Sequence, residues 1–353
     1  MAIVEFLVQN GTDINLQVQD RYHGSALVAA ATTGKKEFVK YLIENGADIN
    51  MVLRFGRHGS ALAAAAEFGH GDTVKFLVEN GADINMVLQC GLYGSALAAA
   101  TADGHEDIVK FLVENGADIN IVLQCGRYGS ALAAATADGY EDIVKFLVEN
   151  GADINMVLQC GDYGSALAAA AAYGHGDAVK FLVENGADIN MVLQCGDYGS
   201  ALAAAAADGY EDTVKFLVEN GADINMVLQC GRYGSALAAA AADGYEDTVE
   251  FLVENGADIN MVLQCGLYGS ALAAAADDRY GDTVKFLVEN GADINMVLQC
   301  GDYGSALAAA AAYEQGDTVK FLVENGADIN MVLQCGDYGS ALVATMLSPS
   351  LMR

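Results

Sequence analysis

Residues 59–93 read GSALAAAAEFGHGDTVKFLVENGADINMVLQCGLY, and the rest of the chain repeats this pattern with few changes. The tetrad Gly-Ser-Ala-Leu returns every 35 residues, at Gly24, Gly59, Gly94, Gly129, Gly164, Gly199, Gly234, Gly269, Gly304 and Gly339. A fixed period of this length is typical of a solenoid, in which each repeat contacts only its neighbours. We therefore expect residues 1–353 to form a single array.

The period also predicts the boundaries of the repeats. A half repeat at 1–23 precedes the repeats 24–58, 59–93, 94–128, 129–163, 164–198, 199–233, 234–268, 269–303 and 304–338, and a half repeat at 339–353 follows them. The segment from Ile3 to Asn10 matches the second half of a repeat, and that from Ser340 to Met346 matches the first half. Neither end is the polar cap that solenoids normally carry, which favours a fragment of a longer protein.

Each repeat predicts two helices. Ser60 is a suitable N-cap for a helix through the alanine run that follows it, because its hydroxyl can accept from a free amide of the first turn. Gly69 is expected to end this helix. Asp72 suits the first turn of a second helix, in which Val74 and Leu77 fall on one face. A long connection then leads to the next repeat.

The motifs Gly69-His70, Val74, Leu77 and Gly81-Ala82-Asp83-Ile84-Asn85 together resemble the ankyrin repeat, and the resemblance recurs across essentially the whole chain. It implies an all-α solenoid of stacked helix-turn-helix units with β-turn finger loops. It also implies a concave face, lined by the fingers and the first helices, on which such arrays usually contact protein partners. The Gly-x-Tyr-Gly-Ser-Ala-Leu variant resembles arrays of fungal proteins, which often follow a NACHT-type nucleotide-binding module.

The chain departs from the family's pattern in places. Ser60-Ala61-Leu62-Ala63 stands where the family has Thr-Pro-Leu-His, and the repeat is longer than the usual ~33 residues, with the extra length in the finger. Arg279 and Glu314 replace the glycine of the turn between the two helices. A residue other than glycine in the left-handed conformation there would destabilise the folded protein by about 1 kcal/mol or more.

Eight cysteines, one per repeat from Cys90 to Cys335, raise the question of disulfides or zinc. Stacked helices lie roughly 8–10 Å apart, which exceeds the Cα separation of about 7 Å that a disulfide tolerates. No Cys-x-x-Cys pair is present, so we expect free thiols and no metal site. Unpaired thiols favour a reducing compartment, cytoplasmic or nuclear.

The sequence offers no catalytic or cofactor-binding constellation. His70, His105 and His175 occupy a turn position that other repeats fill with tyrosine, which favours packing over acid–base chemistry. The serine of each tetrad has no partnered base and is expected to be a helix cap. Asp83-Ile84-Asn85 lacks the ligand spacing of a calcium loop and is expected to be a structural turn.

The charge limits the kind of partner. The chain has 47 acidic and 17 basic residues, a formal net charge of -30. Binding to nucleic acid or to anionic membranes needs a Lys/Arg surface, so neither is expected. The acidic surface has two interpretations: it keeps the array soluble, or it attracts a basic protein partner.

Two sets of positions vary between otherwise similar repeats, and we take them as candidates for partner binding. One set precedes the finger tyrosine or histidine, and the other lies at the end of the first helix. The candidates are Arg57, Phe68, Leu92, Asp103, Arg127, Asp138, Asp162, Tyr173, Asp197, Asp208, Arg232, Asp243, Asp278 and Tyr313. Phe68, Tyr173 and Tyr313 are expected to be exposed aromatic anchors; drift at unconstrained surface sites is the other explanation of the variation.

These observations predict a monomeric, non-enzymatic scaffold or recognition array that binds a protein, without a cofactor. The alternative is the sensor segment of a larger NACHT-type NTPase. A phosphate-binding loop in an upstream reading frame would decide for that alternative.

Overall fold

The computed structural model describes residues 1–19, 22–277 and 280–347, and the described residues contain helices, turns and loops but no strand. The chain divides into two compact bodies, Met1–Asp162 and Tyr163–Arg353. None of the helices in the described part of the chain is long and apolar enough to cross a bilayer.

The first body contains α1 to α9, in which first and second helices of successive repeats alternate. Its first helices are α2 (Ala26–Thr32), α4 (Ala61–Glu67), α6 (Ala96–Ala102) and α8 (Ala131–Ala137). Its second helices are α1 (Ala2–Gln9), α3 (Lys36–Glu44), α5 (Gly71–Glu79), α7 (Glu106–Glu114) and α9 (Glu141–Glu149). Within this body, successive first helices pack on one another, and each also packs on its own second helix.

The second body follows the same plan. Its first helices are α10 (Ala166–Ala172), α12 (Ala201–Ala207), α14 (Ala236–Ala242), α16 (Ala271–Asp277), α18 (Ala306–Ala312) and α20 (Ala341–Met346). Its second helices are α11 (Gly176–Glu184), α13 (Glu211–Glu219), α15 (Glu246–Glu254), α17 (Gly281–Glu289) and α19 (Gly316–Glu324). The predicted all-α solenoid of stacked helix-turn-helix units is therefore confirmed, whereas the single array over residues 1–353 stays a prediction.

The first helices are short because a cap and a turn bound each of them. The Ser60 hydroxyl accepts from the amide of Ala63, as the sequence predicted. Every residue of α4 is buried, since its alanines let neighbouring first helices approach closely. The second helices bury only one stripe, as Val74 and Leu77 do in α5.

The turn between the two helices requires a left-handed residue. Gly69 has φ 69° there, and Glu314 adopts φ 58° at the equivalent position. Glu314 is the one residue other than glycine with positive φ among the described residues. The predicted strain is thus present at Glu314, whereas Arg279, the other departure from glycine, lies outside the described residues.

Side chains in the turn join successive repeats. The ring of His105 bonds through Nε2 to the carbonyl of Glu67, 2.8 Å away in the preceding repeat, and lies against Gly69. Tyr140 covers Gly104 in the same way. The histidines are therefore packing residues, as their exchange with tyrosine predicted.

The Asp-Ile-Asn motif forms a seam between repeats. Nδ2 of Asn85 donates to the carbonyl of Gly116 at 3.0 Å, and Oδ1 accepts from the amide of Asp118 at 2.7 Å. In the second body, Asn225 makes the same two bonds to Gly256 and Asp258. One asparagine in each of these repeats thus satisfies two backbone groups of the next repeat, which explains why the motif hardly changes.

The fingers approach each other more closely than helix packing would allow. The amide of Arg127 donates to the carbonyl of Leu92 at 2.8 Å. The amide of Leu92 donates in turn to the carbonyl of Arg57 at 3.0 Å. A Cβ atom on Gly91 would lie 2.6 Å from the Arg57 carbonyl, so this contact depends on glycine. The 8–10 Å spacing expected between repeats is therefore wrong at the fingers, because glycine removes the side chain that would hold them apart.

Candidate functional site: the finger face

In each body, the variable positions lie in the fingers and at the ends of the first helices, and we call this part of each body its finger face. In the first body it consists of Arg57, Phe68, Leu92, Asp103, Arg127, Asp138 and Asp162, and in the second body of Tyr173, Asp197, Arg232, Asp208, Asp243 and Tyr313. The remaining candidate, Asp278, lies outside the described residues.

A tyrosine in each finger connects the two sets. The hydroxyl of Tyr93 donates to Oδ2 of Asp103 at 3.2 Å, and Tyr128 bonds in the same way to Asp138. In the second body, Tyr198 donates to Asp208. The bond spans ten residues in each repeat, so it joins the finger to the end of the first helix that follows it.

Two repeats have tyrosine in place of the aspartate. The hydroxyls of Tyr163 and Tyr173 lie 2.6 Å apart, and that of Tyr303 donates to Tyr313 at 3.2 Å. Tyr173 is half-buried and not exposed as expected, because its ring packs edge-on against Tyr163; its role as an anchor stays a prediction. Tyr313 remains 45% exposed.

The finger tyrosines stack on one another beneath this surface. The ring centroids of Tyr93 and Tyr128 are 6.3 Å apart, with an interplanar angle of 7°. Those of Tyr198 and Tyr233 are 6.5 Å apart at 20°. Each of these rings thus contacts its neighbour and hydrogen-bonds to the side chain at the end of the first helix that follows.

The repeat at 59–93 has a different arrangement, centred on Glu67. Glu67 is buried in α4 and accepts from Nε of Arg57 at 2.9 Å. The buried ring of His58 contacts the other carboxylate oxygen at 2.5 Å, and Tyr93 lies 3.4 Å from the first. These partners offset the cost of burying a carboxylate.

Phe68 and Leu92 are the exposed apolar residues of the finger face in the first body. Phe68 follows α4 and is 46% exposed; its ring makes an edge contact with His58 and stacks on His70. Leu92 is 40% exposed at the finger. Apolar side chains held in place but open to solvent are suited to anchoring a partner.

Charged residues occupy the other variable positions of the fingers in both bodies. Nε of Arg127 lies 3.2 Å from a carboxylate oxygen of Asp162 in the next finger, and both side chains are about half exposed. Such a pair contributes at most about 1 kcal/mol to stability. Asp197 and Arg232 are exposed as well, and the Arg232 guanidinium lies over the ring of Tyr233.

Partial burial perturbs the carboxylates of the finger face. It raises the pKa of Asp103 above its ordinary value, although the hydrogen bond from Tyr93 acts in the opposite direction. Burial raises the pKa of Asp208 too, and the charge of Asp243 adds to the effect. A positive charge placed beside either aspartate would therefore be favoured.

Comparison with known families agrees with this geometry. The family model described as ankyrin repeats (3 copies) matches residues 1–87, 85–158, 132–227, 167–262 and 236–332. The chain belongs to the ankyrin repeat family. Among solved structures, the human ASB11 ankyrin repeat domain is similar, with 27% sequence identity and a TM-score of 0.51 over 65% of this chain and 97% of that one. A search of curated proteins found no match.

Ankyrin repeats are protein–protein interaction modules, and this is the general role that the family membership indicates for the chain.

The residues that are the same from repeat to repeat, such as the cysteines, have structural roles. The eight cysteines are free, and Cys125 donates from Sγ to the Leu88 carbonyl of an earlier finger. Burial raises the pKa of this thiol, which makes it less reactive. No cluster of potential metal ligands occurs in the residues that the structure describes.

Sequence reasoning missed the hydrogen bonds beneath this ankyrin surface. The tyrosine and its partner are separated by ten residues, a spacing that no helix or strand period suggests. The signal was a pairing of residue types: a finger tyrosine is followed, ten positions on, by a side chain that can hydrogen-bond to it. Glu67 precedes Phe68 and was not among the candidates, and the structure buries it beneath the surface.

Proposed function

We propose that the chain binds a protein partner through the finger face, in agreement with the concave binding face that the ankyrin resemblance implies. The supporting observation is the distribution of variation. Most residues that differ between repeats lie in the fingers or at the ends of the first helices, while the glycines, alanines and asparagines that join the repeats hardly change. Phe68 and Leu92 supply apolar contacts, and the aspartates around them supply charge.

The proposed partner is a basic protein, and the chain acts as a monomer. The net charge of -30 and the exposed Asp138, Asp197 and Asp208 favour positive side chains opposite them. The same charge disfavours nucleic acid, whose phosphates would be repelled. The free thiols fit a reducing compartment, cytoplasmic or nuclear. In this proposal the chain binds and does not catalyse.

Affinity capture with paired variants tests the proposal. The full chain, immobilised and incubated with a lysate of cells that express it, should retain a partner identified by quantitative mass spectrometry. Phe68→Ser combined with Leu92→Ser should reduce recovery at least about tenfold, since both residues are anchors. The control Val323→Ser changes a similarly exposed apolar residue in α19, outside the finger face, and should leave recovery unchanged. Equal recovery with all three proteins would contradict the proposal.

A further inference from the structure

Four cysteines occupy the same position in successive fingers of the second body. We call Cys230, Cys265, Cys300 and Cys335 the cysteine column; their thiols are free and partly buried. Sγ of Cys265 lies 3.5 Å from the carbonyl oxygen of Cys230, and Sγ of Cys300 lies 3.6 Å from that of Cys265. Sγ of Cys335 is 3.4 Å from the carbonyl oxygen of Cys300. Each of these three thiols thus contacts the backbone of the preceding cysteine.

The backbone beside the column sets the distance between the fingers. Two residues after the cysteines, the amide of Leu267 donates to the carbonyl of Arg232 at 2.8 Å, and that of Asp302 donates to the carbonyl of Leu267 at 2.8 Å. Extended segments joined by backbone hydrogen bonds lie about 4.7–4.9 Å apart. Disulfides join Cα atoms that are about 4.4–6.8 Å apart. Neighbouring cysteines of the column are therefore within disulfide range, although the spacing of packed helices excludes such a bond.

The glycine that follows each cysteine maintains this close approach. A Cβ atom on Gly266 would lie 2.6 Å from the carbonyl oxygen of Arg232, and one on Gly301 would lie 2.7 Å from that of Leu267. Any other residue at these positions would force the backbones of neighbouring fingers apart. The short distance between the cysteines is thus built into the finger.

The thiols also affect one another electrostatically. Burial raises the pKa of Cys265, and the charges of Cys230 and Cys300 raise it further. Burial and the charge of Cys335 raise the pKa of Cys300. Because such effects weaken with distance, they agree with thiols that lie close together. A raised pKa also lowers the thiolate fraction at neutral pH, so these cysteines react slowly.

We propose that the cysteine column is a site of oxidative modification, at which cysteines 35 residues apart form disulfides when a low-molecular-weight disulfide such as oxidised glutathione is present. The thiolate of one cysteine attacks the oxidant, forms a mixed disulfide and releases one glutathione thiolate. The thiolate of the neighbouring cysteine attacks the protein sulfur of that mixed disulfide and releases the second. The two protein thiols lose two electrons and two protons, and oxidised glutathione becomes two molecules of glutathione. The product links two successive fingers covalently.

Mass spectrometry of the oxidised full chain tests the pairing. Trypsin places the four cysteines in separate peptides, 216–232, 233–279, 286–320 and 321–353, so each link is identified by its mass. The chain is treated with oxidised glutathione at about pH 8, where thiolate is available, alkylated and digested. We expect links within the column between cysteines 35 residues apart, in a yield independent of protein concentration. Links between cysteines 70 residues apart in equal yield would overturn the proposal, and so would a yield proportional to protein concentration, which indicates bonds between molecules.

Two double variants with the same number of cysteines separate proximity from general reactivity. Cys265→Ser combined with Cys335→Ser leaves Cys300 without a cysteine in either adjacent finger, whereas Cys230→Ser combined with Cys265→Ser leaves it beside Cys335. The fraction of Cys300 in a protein disulfide should be at least about tenfold higher in the second variant, because the effective concentration of its neighbour is high. Equal fractions in the two variants would contradict the assignment. The inference is independent of the proposed partner binding, which none of these measurements tests.

Discussion

Within each body, the first helices and the second helices meet their neighbours in different ways. The seven residues of α12 are all buried, and Ala204 has no exposed surface. In α13, by contrast, Thr213, Val214 and Leu217 are buried while the rest of the helix reaches solvent. First helices therefore tolerate no added volume, whereas second helices have a free outer side. The comparison explains why the interior of the first helices hardly varies between repeats.

The largest effect should come from adding volume to a first helix. Ala204→Leu inserts three carbons between close-packed helices, and we expect the free energy of unfolding to fall by about 3 kcal/mol. Lys180→Leu adds a leucine to the exposed side of α11 and should change it by less than about 0.5 kcal/mol. Urea unfolding followed by circular dichroism measures both. Similar midpoints for the two variants would show that the first helices are not tightly packed.

The seam between repeats should have the next largest effect. Asn225→Ala removes the bonds to Gly256 and Asp258 and should cost about 1–2 kcal/mol. The amide of Asp258 loses its acceptor, so its hydrogen exchange should accelerate. Asn220→Ala removes only a bond within its own repeat, to Phe216, and should leave that amide protected. An unchanged rate of hydrogen exchange at the Asp258 amide in Asn225→Ala would contradict the role of Asn225 in joining the repeats.

A smaller effect, of opposite sign, is expected at the strained turn. Glu314→Gly relieves the left-handed conformation and should stabilise the protein by about 1 kcal/mol. Glu324→Gly at the end of α19 has no strain to relieve and should destabilise it, because glycine disfavours helix. Thermal unfolding of the two variants should shift in opposite directions, and a downward shift for both would remove the strain argument.

The smallest effect concerns the charge of Asp208. A carboxyl with a raised folded-state pKa binds its proton more tightly in the folded protein, so stability falls as pH rises from 3.8, the ordinary pKa, through the folded-state pKa. Asp208→Asn abolishes this loss. Relative to wild type, the variant should therefore gain stability across that pH window, by less than about 0.5 kcal/mol because solvent screens the exposed group. Urea midpoints from pH 3.5 to pH 7 should reveal it, and a relative loss would contradict the sign.

The sequence predicted the helices well because their signals are local. Ser60 caps its helix and Gly69 ends it through bonds within a few residues, and both repeat at a fixed period. The sequence-based prediction failed for contacts between residues of different repeats. The contact of Gly91 with Arg57 depends on how closely fingers stack, which no residue pattern specifies. Tyr173 was taken as exposed because the ten-residue separation from its partner Tyr163 matches no helix or strand period.

Site-specific photo-crosslinking tests the central claim, that the finger face binds the partner. A benzophenone amino acid is placed in turn at Leu92 and Asp197 on the finger face, and at Glu114 and Glu219 on the second helices, all exposed positions. After irradiation with the captured partner, we expect covalent adducts from Leu92 and Asp197 and none from Glu114 or Glu219. Adducts from Glu114 and Glu219 alone would place the partner on the second helices and contradict the account.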